Sequence, residues 1–206
     1  MTKIILMLGL AALSSPAAEL YDNTVNDQQF SVFYSTGYNE IGDQVEMISP
    51  GDVTSLDAQF FNDGSDATFD AQLQFYQVGS PVGAQIGGPF TVTGIFIASF
   101  TSQTVTFPDP GDLPLPQDVI ATLTVQNVSA GGDIGVNFFD PPTVGTSDDT
   151  FYIADSGMGL QQVSTNMDID NIYFEIDGTA TAPEPAAITL TLGGLLILAV
   201  SRRRRT

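Results

Sequence analysis

The side chains of this sequence that could do chemistry are almost all carboxylates. The chain contains 24 Asp and Glu residues but no His and no Cys, and its only cations are Lys3 and Arg202–Arg205. Ser-His-Asp triads, Cys-His dyads and the usual zinc sites therefore lack their essential residues. Nucleic-acid binding is also excluded, because a body without cations cannot neutralise phosphates.

Paired carboxylates are the main catalytic possibility, because a glycosidase needs two of them about 5–10 Å apart around a sugar bond. Asp148 with Asp149, and Asp168 with Asp170, are such pairs in the sequence. Adjacent acids on a strand point to opposite faces, however, and 24 acids produce pairs by chance. We therefore expect that the protein is not an enzyme and that these acids are solvated surface or turn residues.

Calcium binding is a second use of the carboxylates, since Ca²⁺ takes about six to eight oxygen ligands from carboxylates and carbonyls. The weak candidates are Asp63 and Asp66 in one turn, and Asp140, Asp148 and Asp149 around a later loop. Neither segment matches a calcium-loop consensus. Plain turns, which Asp side chains favour through local hydrogen bonds, are the alternative interpretation, and no other cofactor is expected.

Carbohydrate binding would normally require an exposed aromatic platform, and the chain has no Trp. The candidates for such a platform are Tyr38, Tyr76, Tyr152 and Tyr173. Core packing of the same rings is the alternative.

The elements that must position these residues are β-strands. Apolar and polar residues alternate with period two over Ala67–Phe75, and shorter alternations cover Leu56–Phe60, Val119–Gln126 and Ile172–Asp177. Weaker strands are predicted at Gln29–Tyr34, Gln44–Ile48, Phe90–Ala98, Thr104–Phe107, Ile134–Phe139 and Phe151–Ala154.

Turn residues separate these strands. Asn62–Asp66 lies between two alternating strands and predicts a hairpin, and Pro108–Asp112 and Ala130–Asp133 predict further turns. About ten short strands with one apolar face each predict an all-β fold over residues 18–180, an antiparallel two-sheet sandwich that is jelly-roll-like in topology. Its core would be built largely from Phe, Val, Leu and Ile.

Residues 1–17 are typical of a secretory signal peptide. Lys3 supplies the charged start, Ile4–Leu13 the apolar stretch and Ser15–Ala18 the small-residue cleavage region. We expect cleavage after Ala17, with Ala18 as the alternative, and export of the body.

The last segment, residues 181–206, has three parts. They are Pro183, Glu184 and Pro185, then fifteen uncharged residues at 186–200, and then Arg202, Arg203, Arg204 and Arg205. A helix over 186–200 would span about 22 Å, against about 30 Å of membrane hydrocarbon, and would be a thin transmembrane anchor. The arginines would place the tail in the cytoplasm and the body outside it.

This ending resembles the PEP-CTERM sorting signal of Gram-negative bacteria. In that family an exosortase, a membrane-embedded transpeptidase-like enzyme, removes the tail and sends the protein to the cell surface. The resemblance makes Pro183, Glu184 and Pro185 the sorting motif and Arg202–Arg205 the membrane stop, with Ala182 where the family often has Val. It implies an exosortase-type partner; an ordinary C-terminal anchor is the alternative.

The body is similar to a β-sandwich domain common in secreted PEP-CTERM proteins. The matching segments are Tyr21–Asn23, Ile41–Val45, Val53–Leu56, Asp133–Phe139 and the best-marked one, Phe139–Asp149. Thr150, Phe151 and Tyr152 stand where an aromatic residue, often Trp, is expected. The resemblance implies the sandwich fold and no particular chemistry.

These features together predict an exported cell-surface or exopolysaccharide-matrix protein with a non-enzymatic structural or interaction role. The protein would be held at the inner membrane by helix 186–200 until processing, and would then reach the surface or the matrix. The matrix, with exopolysaccharide as a partner, is implied by the PEP-CTERM resemblance. A calcium- or carbohydrate-binding module is the alternative, and a carboxylate-based glycosidase is the third possibility.

The charge imbalance yields a first prediction. Like charges within a Debye length repel one another, and that length falls from about 10 Å at 0.1 M salt to about 3 Å at 1 M. The body should therefore melt at a higher temperature in high salt than in dilute buffer. Thermal melts of residues 18–182 in sodium chloride and calcium chloride at matched ionic strength measure this, and a melting temperature indifferent to both salts would contradict it.

Overall fold

A computed structural model describes residues 17–34, 37–79, 82–155, 159–164 and 171–181. Thirteen β-strands and no α-helix occur in these ranges. The strands are β1 (Ala18–Asp22), β2 (Asp27–Phe33), β3 (Tyr38–Glu46), β4 (Gly51–Asn62), β5 (Ala67–Gln77), β6 (Gln85–Ile97), β7 (Thr101–Thr106), β8 (Leu113–Leu115), β9 (Asp118–Gln126), β10 (Ile134–Phe139), β11 (Thr146–Asp155), β12 (Gln161–Ser164) and β13 (Phe174–Ala180).

The strands form two sheets, and every pairing in them is antiparallel. Sheet A has seven strands in the order β1-β13-β4-β10-β2, with β7 and β8 also paired to the long strand β4. Sheet B has six strands in the order β12-β11-β3-β9-β5-β6. The predicted all-β architecture of two antiparallel sheets is therefore confirmed.

The core lies between the two sheets and follows the period-two patterns. On β5 the inward residues are all buried: Ala67, Phe69, Ala71, Leu73 and Phe75. Leu56, Ala58 and Phe60 of β4 are buried on the opposite sheet. The Phe60 and Phe69 rings meet edge to face with centroids 5.2 Å apart, so aromatic packing joins the two sheets.

The predicted hairpin at Asn62–Asp66 is wrong, because β4 belongs to sheet A and β5 to sheet B. The segment is an arch that crosses between the sheets. Asn62 is buried and holds the arch: its Oδ1 accepts from the backbone N–H of Gly64 and of Asp133, at 2.9 and 3.1 Å, and its Nδ2 donates to the Ser65 carbonyl at 2.7 Å. Period two identifies the faces of a strand but not the sheet that it joins.

Three outward-facing residues are more buried than the period-two alternation predicts. Ile120 and Thr122 of β9 point away from the core side that Val119 and Ala121 occupy, yet both are at most 1% exposed. Tyr173 is also buried, and its ring packs edge to face on Phe139 with centroids 5.0 Å apart. Neighbouring side chains therefore cover parts of both outer faces.

The predicted signal peptide, residues 1–17, lies outside the described residues except for Ala17. The sorting motif at 183–185, the predicted helix at 186–200 and the arginines at 202–205 lie outside them as well. The part of the chain that is described holds no helix with the length and apolar character needed to cross a membrane.

The packing of the core predicts that replacing two phenylalanines, one in each sheet, changes the free energy of unfolding by very different amounts. Phe60 is fully buried, whereas Phe96 of β6 is 59% exposed. Phe60→Ala should lower the free energy of unfolding by about 3–5 kcal/mol, because it leaves a cavity between the sheets. Phe96→Ala should change it by no more than about 0.5 kcal/mol. Urea unfolding of both variants checks this, and equal losses would contradict the assignment of the core.

Candidate functional site

The predicted calcium ligands fall on separate parts of the fold. Asp63 and Asp66 lie on the arch between β4 and β5, where the Oδ1 of Asp66 accepts from the Ser99 backbone N–H at 2.8 Å. Asp140 follows β10, and Asp148 is exposed on β11. Asp149 lies on the same strand, but its side chain is outside the described set, as are the predicted pair Asp168 and Asp170.

No group of three or more acidic side chains within the described ranges lies close enough together to hold a metal ion. In the turn at Asp63–Asp66 the Asp66 carboxylate is a hydrogen-bond acceptor for backbone, which agrees with the plain-turn alternative. The structure therefore brings no carboxylate-only calcium loop together in the part of the chain that it describes.

The predicted tyrosines do not form an exposed platform in that part of the chain either. Tyr152 and Tyr173 are 2% and 8% exposed, and Tyr76 is half-buried. The side chain of Tyr38 is not among those described. Sugar stacking on a row of open rings is therefore not supported by Tyr152, Tyr173 and Tyr76.

Three sequence segments that carry the family resemblance converge in space, and sequence reasoning did not foresee this. These segments are Tyr21–Asn23, the middle of β3 and the loop after Phe139. They meet around Asp43. We call the polar residues at this meeting point the Asp43 cluster: Tyr21, Asn23, Asp43, Asp140, Ser147 and Asn171. Asn171 and Ile172 complete it from the strand-like segment before β13.

Asp43 is the centre of this cluster and is fully buried. It lies on the inward face of β3 between the buried Ile41 and Val45. Its Oδ2 accepts from the backbone N–H of Ile172 at 3.1 Å, and the Ser147 hydroxyl lies 3.1 Å from its Oδ1. Because Ile172 pairs with β10 of sheet A, Asp43 links the two sheets by a hydrogen bond.

The electrostatics of Asp43 are unfavourable for the charged form. Burial is the largest effect and raises the pKa of the carboxyl well above its ordinary value, although the Ile172 N–H opposes the shift. Burial and the neighbouring Asp43 charge likewise raise the pKa of Tyr21. No Lys, Arg or His between residues 4 and 201 supplies a compensating charge.

Asn23 fastens the end of β1 to two segments of sheet A. Its buried Nδ2 donates to the carbonyl of Phe139 at 2.7 Å and to that of Ile172 at 3.2 Å. Asn171 makes a similar contact, since its Nδ2 donates to Oδ1 of Asp140 at 2.6 Å. These amides fix the start of the loop after β10.

The rest of that loop is held from both sides. The Asp22 carboxylate accepts from the Thr143 hydroxyl at 2.5 Å, and the Pro141 carbonyl accepts from Nδ2 of Asn26 at 2.5 Å. Gly145 has a φ of +76°, and a Cβ there would lie 2.5 Å from the carbonyl oxygen of Glu46. Only glycine fits this close approach. Gly145, at the end of the Pro-Pro-Thr-Val-Gly segment, therefore allows the loop to pack against Glu46.

A second feature is an acidic face on the outside of sheet A, formed by Glu19, Asp22, Asp57, Glu175 and Asp177. Glu175 of β13 lies directly opposite Asp22 of β1 and Asp57 of β4, and Asp177 lies opposite Glu19. Directly opposed residues have Cβ atoms about 4.5–5.5 Å apart, and like charges there are destabilising.

The carboxyl groups of the acidic face reflect that crowding. Partial burial, and then the charges of neighbouring acids such as Asp57 and Asp22, raise the pKa of both Glu175 and Asp177. Oδ1 of Asp57 is buried without a hydrogen-bond partner. This face is therefore the part of the described surface where protons, salt or a cationic partner would relieve the most repulsion.

The outer face of sheet B is polar instead. Oε1 of Glu40 accepts from the hydroxyls of Tyr76, at 3.1 Å, and of Thr122. Burial and the Glu40 charge raise the pKa of Tyr76 to about 12. The Tyr152 hydroxyl donates to Oε1 of Gln44 at 3.3 Å. Around Glu40 this face therefore offers amide, hydroxyl and carboxylate groups.

A shallow pocket of about 210 Å³ lies where β3 ends. It is lined by Glu46, Met47, Ile48, Gln117, Gly145 and Thr146. Both oxygens of the Glu46 carboxylate accept hydrogen bonds: Oε2 from the Thr146 hydroxyl at 2.7 Å and Oε1 from Nε2 of Gln117 at 3.4 Å. Ligand pockets usually enclose about 300–1,000 Å³, so this pocket is small for an organic ligand.

The chain matches no family model, no curated protein and no solved structure. Its candidate sites are therefore defined by the contacts of its own residues.

The acidic face generates a pH prediction. Because Glu175 and Asp177 have raised pKa values in the folded state, that state holds protons which the unfolded chain releases above about pH 4. Their contribution to stability is therefore complete below that pH and is lost as the pH rises through the folded-state values. Glu175→Gln should stabilise the protein at pH 7 and low salt by about 0.2–1 kcal/mol and flatten this part of the pH dependence.

Asp63→Asn is the matched control, since it removes one exposed acid from the arch instead of the acidic face. Melts between pH 4 and 8 in dilute buffer compare the two variants with the unmodified chain. Identical pH profiles for all three proteins would show that the opposed carboxylates do not interact.

Proposed function

We propose that this chain is an exported, non-enzymatic structural or interaction protein of the cell surface or the exopolysaccharide matrix. In this proposal a signal peptide at 1–17 exports the body, and a PEP-CTERM-type signal at 181–206 directs its processing by an exosortase-type enzyme. The body would be a jelly-roll-like sandwich, with one transmembrane helix at 186–200 until the tail is removed.

The observation that carries the proposal is the ordered ending of the sequence: Pro-Glu-Pro, fifteen uncharged residues and four arginines. The structure supports an interaction role rather than catalysis through the use of the polar residues. Asp43, Asn23 and Asn171 are buried and bind backbone or other fold-holding groups instead of facing a cleft. The two outer faces, one acidic and one polar, are the surfaces available to partners.

Glycan binding is the second candidate, and the outer face of sheet B favours it. Glu40 and Gln44 are partly exposed and present carboxylate and amide groups of the kinds that hydrogen-bond sugars. Glycan-array binding with and without calcium tests this candidate. A hydrolysis assay on matrix polysaccharide tests the third possibility, a carboxylate glycosidase, for which turnover would be required.

The sorting proposal predicts removal of the tail in a host that has the processing enzyme. Mass spectrometry of surface-released protein should find C-terminal peptides that end near Pro183–Pro185. Replacing Pro183, Glu184 and Pro185 by Ala should leave the full-length chain in the membrane, because the helix and the arginines remain. Changing Thr179 and Thr181 to Ser is the control and should leave processing intact. Unmodified chain that keeps Arg202–Arg205 and stays in the membrane would sink the proposal.

A further inference from the structure

The Asp43 cluster contains buried oxygens that have no donor. Among the described residues, six buried side-chain atoms lack a hydrogen-bond partner, and all six are oxygens. Two of them carry the inference, the Oδ1 atoms of Asn23 and Asn171; the Tyr21 hydroxyl belongs to the same cluster but has the Ser147 side chain as a neighbour. These side chains are at most 1% exposed, so bulk water does not solvate them. Buried acceptors without a partner are costly, and several in one place require an explanation.

The same cluster contains a buried carboxyl group with no cationic side chain from the body beside it. Asp43 is fully buried, and residues 4–201 contain no Lys, Arg or His. Buried carboxylates in proteins are normally paired with a cation or bound to a metal. Positive charge that residues 4–201 do not supply to Asp43 can come from solution, as a proton or as a metal ion.

Hydrogen bonds bring these oxygens to one segment of chain. The Ile172 peptide receives Nδ2 of Asn23 on its carbonyl and donates its N–H to Asp43. The adjacent Asn171 contacts Asp140 through Nδ2, and its Oδ1 is buried without a hydrogen-bond donor. The Tyr21 hydroxyl is close enough to Asp43, Asp140 and Asp22 that their charges affect its titration.

We propose that the Asp43 cluster is a binding site for a single Ca²⁺ ion. Its ligands would be the carboxylates of Asp43 and Asp140 and the amide oxygens of Asn23 and Asn171. Carboxylate and amide oxygens in an irregular arrangement are what Ca²⁺ accepts, whereas Mg²⁺ demands near-ideal octahedral geometry. Two carboxylates with amide oxygens also agree with the lack of any close acidic triplet in the described ranges. This site does not depend on the proposed export or sorting.

Thermal melts of the full chain in a non-ionic detergent provide the first test. Extracellular calcium modules have Kd values of about 10⁻⁴–10⁻³ M. With a Kd near the lower value, 10 mM calcium chloride should raise Tm by roughly 5–10 °C over sodium chloride at the same ionic strength. Equal gains from the two salts would overturn the proposal, because screening alone would explain them.

Two variants locate the ion. Asp43→Asn and Asp140→Asn each remove a carboxylate with little change in shape, and each should abolish most of the calcium-specific gain. The control Asp63→Asn should keep it, because Asp63 is an exposed acid on the arch. The measured quantity is the difference in Tm between calcium chloride and sodium chloride for each variant, so a change in the variant's own stability does not affect it. A gain that persists in both cluster variants would overturn the site.

Terbium luminescence gives a readout that does not require Asp43→Asn to fold. The chain has no Trp, so bound Tb³⁺ used in place of Ca²⁺ would be excited through a nearby Tyr. Tyr21→Phe should remove most of the emission, and Tyr173→Phe should retain it. Tyr173 senses the charges of Glu175, Asp57 and Asp22, so the opposite result would place the ion on the acidic face and refute the proposal.

Discussion

The absence of any cation between residues 4 and 201 is the constraint on which the rest of the structure depends. Within residues 4–201 no Lys or Arg side chain is present to pair with a carboxylate, so the hydrogen-bond donors in that range are neutral. Backbone N–H groups serve Asp43 and Asp66, and hydroxyl groups serve Asp22 and Glu40. The abundance of Asn, Gln, Ser and Thr at these contacts follows from that constraint, because they supply hydrogen bonds without charge.

The same constraint divides the acids into two groups whose pKa values shift in opposite directions. Asp70 accepts from Nδ2 of Asn127 and from the Gly94 N–H, and these bonds lower its pKa. Glu175 and Asp177 face other acids across sheet A, and burial with that repulsion raises theirs. Neutral donors therefore stabilise the charged form of Asp70 on β5, whereas Glu175 and Asp177 on β13 lie opposite the carboxylates of neighbouring strands. The acidic face of sheet A therefore responds to protons and salt.

Strand patterns predicted more of the fold than of the site. The alternation in β4 and β5 identified their core faces, but it could not show that they join different sheets, because pairing depends on distant residues. β1 escaped prediction since a bulge places both Leu20 and Tyr21 in the core and breaks the alternation. A signal for the site was present in β3, where Asp43 occupies an inward position between Ile41 and Val45. A charged residue at a core position is the kind of local conflict that marks functional or strained sites.

The Asp43 cluster differs from the two outer faces in how a ligand would act on the protein. Side chains of the outer faces point away from the core, so partners can bind there with little effect on folding. Asp43, Asn23 and Asn171 instead connect β1, β3 and the loop after β10, and those contacts join the two sheets. Anything that binds these groups in the folded state alone is stabilising by mass action. Binding on the outer faces and stabilisation through the Asp43 cluster can therefore change independently of each other.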